Sequence, residues 1–229
     1  MLKYFKYSII GQCLQHSGRN AGFRVDGLKN IMVKTAVKTA LILIAVLLIA
    51  FGVFNFACPQ HMATFTENIG NYSLAVKYTS LRYSYTGDVY DLARCVEDCV
   101  RAESDANIVK YGKKLINHGK FGEVCEYKDE RNGFEGGTYK QYICGKVASA
   151  SYSLGDFESA LGIAVEANGV TSFRYGNALM TLAMRVSDSS DVADKSAVLD
   201  ALNAVEPSVQ EEIELLNQVK DRVSADQSS

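Results

Sequence analysis

The segment ASASYSLGDFESALGIAVEA, residues 148–167, decides the fold class. Gly155 favours the left-handed conformation that ends a helix, and Asp156 is a residue type that caps the next helix. Apolar side chains after this turn recur at helical spacing. They are Phe157, Ala160, Leu161, Ala164 and Val165. The segment therefore predicts two helices joined by a tight turn.

The same order of a glycine, a polar residue and an apolar residue recurs along the chain. It occurs at Gly87-Asp88-Val89 and at Gly119-Lys120-Phe121, and a weaker turn lies at Ser190-Asp191-Val192. The glycines at 87, 119 and 155 are separated by 32 and 36 residues. Helical apolar spacing between such turns predicts hairpins of about 34 residues that stack on their neighbours.

The copy around Gly155 resembles the tetratricopeptide-repeat (TPR) family. With Gly155 on the turn glycine of the family, Ala148, Ala160 and Ala167 fall on its three small-residue positions. In the family, small side chains at these positions let paired helices approach closely. The resemblance implies an all-α fold, a TPR-like array of helical hairpins, over roughly residues 70–205.

The other copies of the repeat are degenerate. The copy around Gly87 keeps Tyr83 but has Leu92 and Cys99 where alanines are expected, and the next copy keeps Gly112. The resemblance therefore speaks for the fold more than for the function, and a generic helical solenoid is the alternative. We expect this domain to span residues 71–224, with a capping last helix and a frayed tail at 225–229.

Upstream of the repeats lies the uninterrupted apolar run ALILIAVLLIAFGVF, residues 40–54. No Asp, Glu, Lys or Arg occurs from Thr39 to Thr66. Eighteen apolar residues in a helix reach roughly 27 Å, close to the thickness of a bilayer core. The sequence predicts a transmembrane helix at residues 39–57, with the lipid bilayer as its partner.

Charge on the two sides of this run differs in sign. Residues 1–38 carry seven basic side chains and one acid, whereas the whole chain has a net charge of −2. By the positive-inside rule, the basic tail at 1–38 lies in the cytoplasm. We expect a single-pass protein of the plasma membrane, with a stalk at 58–70 and an extracytoplasmic domain. That domain is acidic and lacks the basic footprint of a nucleic-acid binder.

The apolar run has other interpretations. A buried core helix would be interrupted by polar residues, and a cleaved signal peptide usually has a shorter apolar region. Ala57-Cys58 has the small residue and the cysteine of a lipoprotein site, but Asn55 stands where an aliphatic residue is expected. Met32 is an alternative start, because little before it is typical of folded sequence.

Four cysteines fall in the outer domain, at Cys95, Cys99, Cys125 and Cys144. Cys95 and Cys99 lie one turn apart on one helix face, which is poor geometry for a mutual disulfide. We expect at most two disulfides, joining this helix to those that carry Cys125 and Cys144. The alternative is that all four pack as free buried thiols. The spacing lacks the C-x-x-C of redox or zinc sites.

No catalytic motif is present in the sequence, and we expect no enzyme, no cofactor and no metal site. His118, next to Gly119, is expected to serve a helix end. Tyrosines cluster in the first hairpin, where they offer an interaction surface. They are Tyr72, Tyr78, Tyr83, Tyr85 and Tyr90. The sequence favours a membrane-anchored, non-enzymatic protein–protein interaction or scaffold module. The alternative is a thiol-active or other envelope enzyme that uses the Cys95/Cys99 region.

Overall fold

The computed structural model describes residues 32–54, 56–131 and 137–225. Within these ranges it contains eleven helices and no strand, which confirms the all-α prediction. Most of the basic tail, the glycines at 133 and 136, and residues 226–229 lie outside the described residues. The chain divides after Ala57 into two units, which are considered separately.

The first unit contains helix α1, Met32–Phe54. It has 23 residues, and its most apolar 18-residue window has a mean hydropathy of 2.6 and no buried residue, so it is long and apolar enough to cross a membrane. At about 1.5 Å per residue it extends roughly 35 Å. The described part of the helix already includes residues 32–38, upstream of the predicted start at 39, where Val33, Ala36 and Val37 continue the helical sequence.

The second unit, residues 58–229, contains the other ten helices. In chain order they are α2 Pro59–Asn68, α3 Tyr72–Thr86, α4 Val89–Arg101, α5 Asp105–Ile116, α6 Phe121–Arg131, α7 Tyr139–Ser153, α8 Phe157–Asn168, α9 Ala178–Ser187, α10 Val192–Asn203 and α11 Gln210–Ser224.

The predicted turns all separate helices. Gly87 and Gly155 have φ angles of +63° and +83°, the left-handed conformation expected of them. Asp88 then accepts a hydrogen bond from the Tyr90 backbone N–H at 2.9 Å, and Asp156 accepts one from that of Ser159 at 3.3 Å. These side chains satisfy N–H groups that the first helical turn leaves unpaired.

The turn between α5 and α6 is built differently from the prediction. Gly119 is not among the glycines with positive φ. Instead, the imidazole Nδ1 of His118 accepts a hydrogen bond from the Lys120 backbone N–H at 3.1 Å. A histidine side chain therefore supports this turn, and His118 lies just past the end of α5, as expected.

Residues 58–70, which we expected to form a stalk, contain α2 and belong to the domain. Pro59 starts the helix, where its missing N–H costs nothing. Met62, Ala63 and Thr66 form a buried stripe, and α2 packs against α3. The prediction missed this helix because uncharged, polar residues separate its few apolar positions.

Helices α5, α7, α9 and α11 pack against one another in succession, and α7 also packs closely on α8. Small residues permit the close approach. A Cβ atom added at Gly112 would lie 2.2 Å from Cγ2 of Val147, and one added at Gly145 would lie 3.3 Å from Cα of Ala178. Tyr139 and Phe173 fill the core with no exposed surface.

Candidate functional site

The five tyrosines predicted as an interaction surface differ in exposure and in their neighbours. Tyr72, Tyr78 and Tyr83 on α3 are half-buried, whereas Tyr85 is 62% exposed. Arg101 lies over the ring of Tyr72 and Lys114 over that of Tyr83, at 5.5 and 4.6 Å from the ring centroids. Of the five, Tyr90 on α4 lines a groove between α2, α4 and α6.

This groove, the α2–α4–α6 groove, has a volume of about 610 Å³ and runs between three helices. Tyr90 from α4 and Tyr127 from α6 form an aromatic wall, with ring centroids 5.2 Å apart and planes inclined by 75°. The guanidinium of Arg131 lies 4.2 Å from the centroid of Tyr127. The edge-to-face arrangement of Tyr90 and Tyr127 is a favourable one for two aromatic rings.

Ion pairs join the helices around the groove. The guanidinium of Arg94 on α4 donates to both carboxylate oxygens of Glu67 on α2, each at 2.8 Å. Lys128 on α6 lies 2.7 Å from Glu97 on α4, and Arg82 on α3 lies 2.6 Å from Asp91 on α4. Each pair links α4 to a different neighbour, so α4 is the common wall of the site.

Asp98 at the floor of the groove has no such partner. Its side chain is 1% exposed, and neither carboxylate oxygen receives a hydrogen bond. The nearby Thr79 hydroxyl lowers the pKa of Asp98 slightly, but it donates to the carbonyl oxygen of Ala75 at 3.0 Å. Burial, followed by the charge of Glu67, raises the pKa of Asp98 to about 7.

The pKa of Glu67 shifts in the opposite direction to that of Asp98. Burial alone would raise its pKa, but the hydrogen bonds and charge of Arg94 outweigh that cost, so the pKa of Glu67 is lowered. The two neighbouring carboxyl groups therefore differ in proton affinity. Asp98 holds a proton near neutral pH, whereas Glu67 stays ionised against Arg94.

The cysteines occupy the interior beside this groove. Cys95 and Cys99 on α4 have no exposed surface, and Cys125 on α6 and Cys144 on α7 are also buried. The structure has all four as free thiols. Burial raises the pKa of Cys125 to about 12 and that of Cys144 to about 11. Buried thiols with a high pKa are poor nucleophiles, so these two are suited to packing.

Cys95 and Cys99 interact with each other. A hydrogen bond from the Cys99 thiol lowers the pKa of Cys95, and this pairing, together with burial, raises the pKa of Cys99. Neither sulfur reaches the surface. Within the described ranges, no group of three or more His, Cys, Asp or Glu side chains is arranged to hold a metal ion.

A second, smaller cavity of about 370 Å³ is lined by the start of α7, the last residue of α8 and the α8–α9 connection. Its polar side chains bond to one another and to the backbone. Asn177 donates to Asn168, and the side-chain oxygen of Gln141 accepts from the Ala178 N–H at 2.9 Å. These bonds tie the long α8–α9 connection to α7, so the polar side chains that line the cavity serve to hold this connection in place.

Sequence reasoning missed most of the α2–α4–α6 groove. Glu67 lay at the end of a segment expected to be a stalk, and Arg94 and Tyr127 had no motif around them. A signal was present, because Met62, Ala63 and Thr66 repeat at helical spacing.

Comparisons of the chain with family models, with curated proteins and with solved structures find no match.

Proposed function

We propose that the protein is a membrane-anchored, non-enzymatic interaction module whose α2–α4–α6 groove binds a partner protein. The observation that carries the proposal is the aromatic wall of Tyr90 and Tyr127 at the open side of a groove built from packed helices. Tyrosines bury a large area at little entropic cost and are enriched at binding hot spots.

A TPR-like scaffold is part of this proposal. The buried positions of Ala148, Ala160 and Ala167 and the succession of α5, α7, α9 and α11 support it. Arrays of this kind hold binding surfaces on rigid helices, which reduces the ordering cost of association.

The proposal also gives helix α1 the role of a membrane anchor. Helix α1 tethers the domain to the plasma membrane, and Lys29, Lys34 and Lys38 favour a cytoplasmic N-terminus and an extracytoplasmic domain. Tethering raises the effective concentration of the domain towards a partner in the same membrane.

Site-specific photo-crosslinking in native membranes tests the groove. Benzoylphenylalanine replaces Tyr127 in the full chain, and in a matched control it replaces Tyr175, which is 69% exposed in the α8–α9 connection. We expect an adduct of defined mass from position 127 alone, and its loss when Tyr90→Ser is added. Identical adducts from both positions, or none from position 127, would refute the proposal.

A further inference from the structure

Helix α2 packs against α3, and the Arg94 guanidinium on α4 ties it to α4 by hydrogen bonds to Glu67 and Thr64. Glu67 on α2 uses both of its oxygens to accept hydrogen bonds from Arg94. Asp98 lies one turn after Arg94 on α4, beside Glu67, and receives no hydrogen bond of its own. The carboxylate oxygens of Asp98 are sealed from solvent, so a ligand has no access to them while α2 is in place.

The charge of Arg94 lowers the pKa of Asp98, but burial and the charge of Glu67 outweigh it. On α2 the facing group is Glu67, on α3 it is the Thr79 hydroxyl, and on α4 they are the Cys95 and Cys99 thiols. The nearby bases are engaged elsewhere: Arg94 with Glu67, Arg82 with Asp91, Lys128 with Glu97, Arg101 over the ring of Tyr72, and Lys110 over the ring of Tyr111.

A buried carboxylate that has no direct ion pair and accepts no hydrogen bond is costly, and a second carboxylate beside it adds repulsion. The closed arrangement therefore favours a proton on Asp98, which can then donate a hydrogen bond to Glu67. Once α2 lifts, Asp98 meets water and ionises with the ordinary pKa of an aspartate. Closing the helix thus takes up a proton, and opening it releases one.

We propose that α2 is a pH-sensitive latch, whose docking on α4 takes up one proton at the Glu67–Asp98 pair and whose release opens the α2–α4–α6 groove. The latch depends on the contact between two helices and does not require that the groove binds a partner. Because α2 directly follows the apolar segment in the chain, it is the first element of the domain after α1.

Hydrogen–deuterium exchange of the full chain in detergent micelles tests the latch. Rates for α2 amides are compared between the native protein and Asp98→Asn at pH 5.5 and at pH 7.5. Taking the ratio at each pH cancels the intrinsic pH dependence of exchange. We expect the native-to-variant ratio to rise roughly tenfold or more between these two pH values, since opening is linked to loss of one proton.

Two internal comparisons keep the test decisive. In the native protein alone, α2 amides should gain exchange relative to α9 amides as the pH rises, so the result does not depend on a variant that folds. Glu67→Gln, which removes the second carboxylate, should reduce this pH response, and Asp200→Asn on the exposed side of α10 should leave it unchanged. A ratio independent of pH, or an equal change in α9, would overturn the latch.

Discussion

The Arg94 guanidinium on α4 donates two hydrogen bonds to the Glu67 carboxylate on α2, from Nε to Oε1 and from Nη2 to Oε2, both 2.8 Å long. Both side chains are mostly buried, so water screens this pair less than a surface ion pair. The planar guanidinium supplies two parallel donors, which a lysine ammonium cannot reproduce. The pair is therefore a strong polar link between α2 and α4, beside the hydrogen bonds from Arg94 to Thr64 and from Arg82 to Gln60.

Arg94→Lys keeps the charge but loses the paired geometry. We expect a loss of about 1–2 kcal/mol in the free energy of unfolding, measured by urea denaturation followed by circular dichroism. Arg185→Lys is the matched control, because Arg185 is exposed and makes only a hydrogen bond to the Ser153 hydroxyl at 3.2 Å. If Arg94→Lys lowers the free energy of unfolding by no more than the control does, the paired hydrogen bonds between Arg94 and Glu67 do not stabilise the domain as proposed.

Asp98 makes stability depend on pH with a defined sign. Its pKa is raised to about 7 in the folded domain, from 3.8. The folded state therefore binds more protons than the unfolded state between about pH 4 and pH 7, and stability falls as the pH rises through this window. Above the folded-state pKa the loss is complete and the curve levels off.

Thermal melts of the native protein and of Asp98→Asn measure this contribution. We expect the Tm of the variant to rise steadily relative to that of the native protein from pH 4.5 to pH 7. Above pH 7 the difference between the two Tm values should level off. The native-minus-variant comparison isolates Asp98 from other titrating groups. The exposed Asp200→Asn serves as control, and a flat difference curve for Asp98→Asn would count against the buried, uncompensated carboxyl.

The four domain cysteines are predicted to resist alkylation in the folded protein. Each is buried, so the reagent cannot reach the sulfur, and the raised pKa of Cys99, Cys125 and Cys144 also disfavours their reactive thiolate form. Iodoacetamide followed by mass spectrometry should leave Cys95, Cys99, Cys125 and Cys144 unmodified in native protein. All four should be modified in urea without reductant. Rapid native labelling of Cys95 would instead support a thiol-active enzyme, and cysteines protected in urea would reveal the disulfides expected from the sequence.

Local signals in the sequence were sufficient for the apolar helix and for the turns at Gly87 and Gly155, but not for α2 or for the form of the turn at Gly119. The turns at Gly87 and Gly155 were predicted because a glycine and a following aspartate act on adjacent backbone groups, and the structure has both in these roles. The apolar helix near the N-terminus followed from composition alone, since nothing in its sequence requires a partner. Features that depend only on near neighbours can be inferred from one chain.

The groove could not be predicted, because it depends on contacts between distant residues. Glu67 and Arg94 are 27 positions apart, and their pairing requires α2 to fold back on α4. Tyr90 was a candidate only as one of five clustered tyrosines, and its true neighbour, Tyr127, lies two helices later. No local pattern specifies which faces of α2, α4 and α6 converge.

Helix α1 is predicted to anchor the full chain in the membrane. We expect the native protein to stay in the pellet after alkaline carbonate extraction, and its intact mass to retain the apolar segment, which separates an anchor from a cleaved signal. Ile44→Arg with Leu48→Arg should reduce the pellet fraction, because two central arginines cost about 5–7 kcal/mol on insertion. Leu154→Arg with Val170→Arg, at exposed domain positions, should not.

The approach of α5 to α7 sets a steric limit at Gly112. Alanine normally stabilises a helix relative to glycine, but a Cβ atom here would lie 2.2 Å from Cγ2 of Val147, whose branched side chain has little rotational freedom. We expect Gly112→Ala to destabilise the domain by about 1–3 kcal/mol in urea denaturation. Gly162→Ala on α8, with open space around the new methyl group, should stabilise it by about 0.5–1 kcal/mol.

A double-mutant cycle shows whether Val147 is the cause. Val147→Ala removes the clashing methyl group, so adding Gly112→Ala to that variant should cost much less than it does in the native protein, and the two changes should be strongly non-additive. Equal costs in the two backgrounds would mean that Gly112 is constrained by something other than its contact with α7. The close helix approach expected at this small-residue position of the repeat would then lose its physical support.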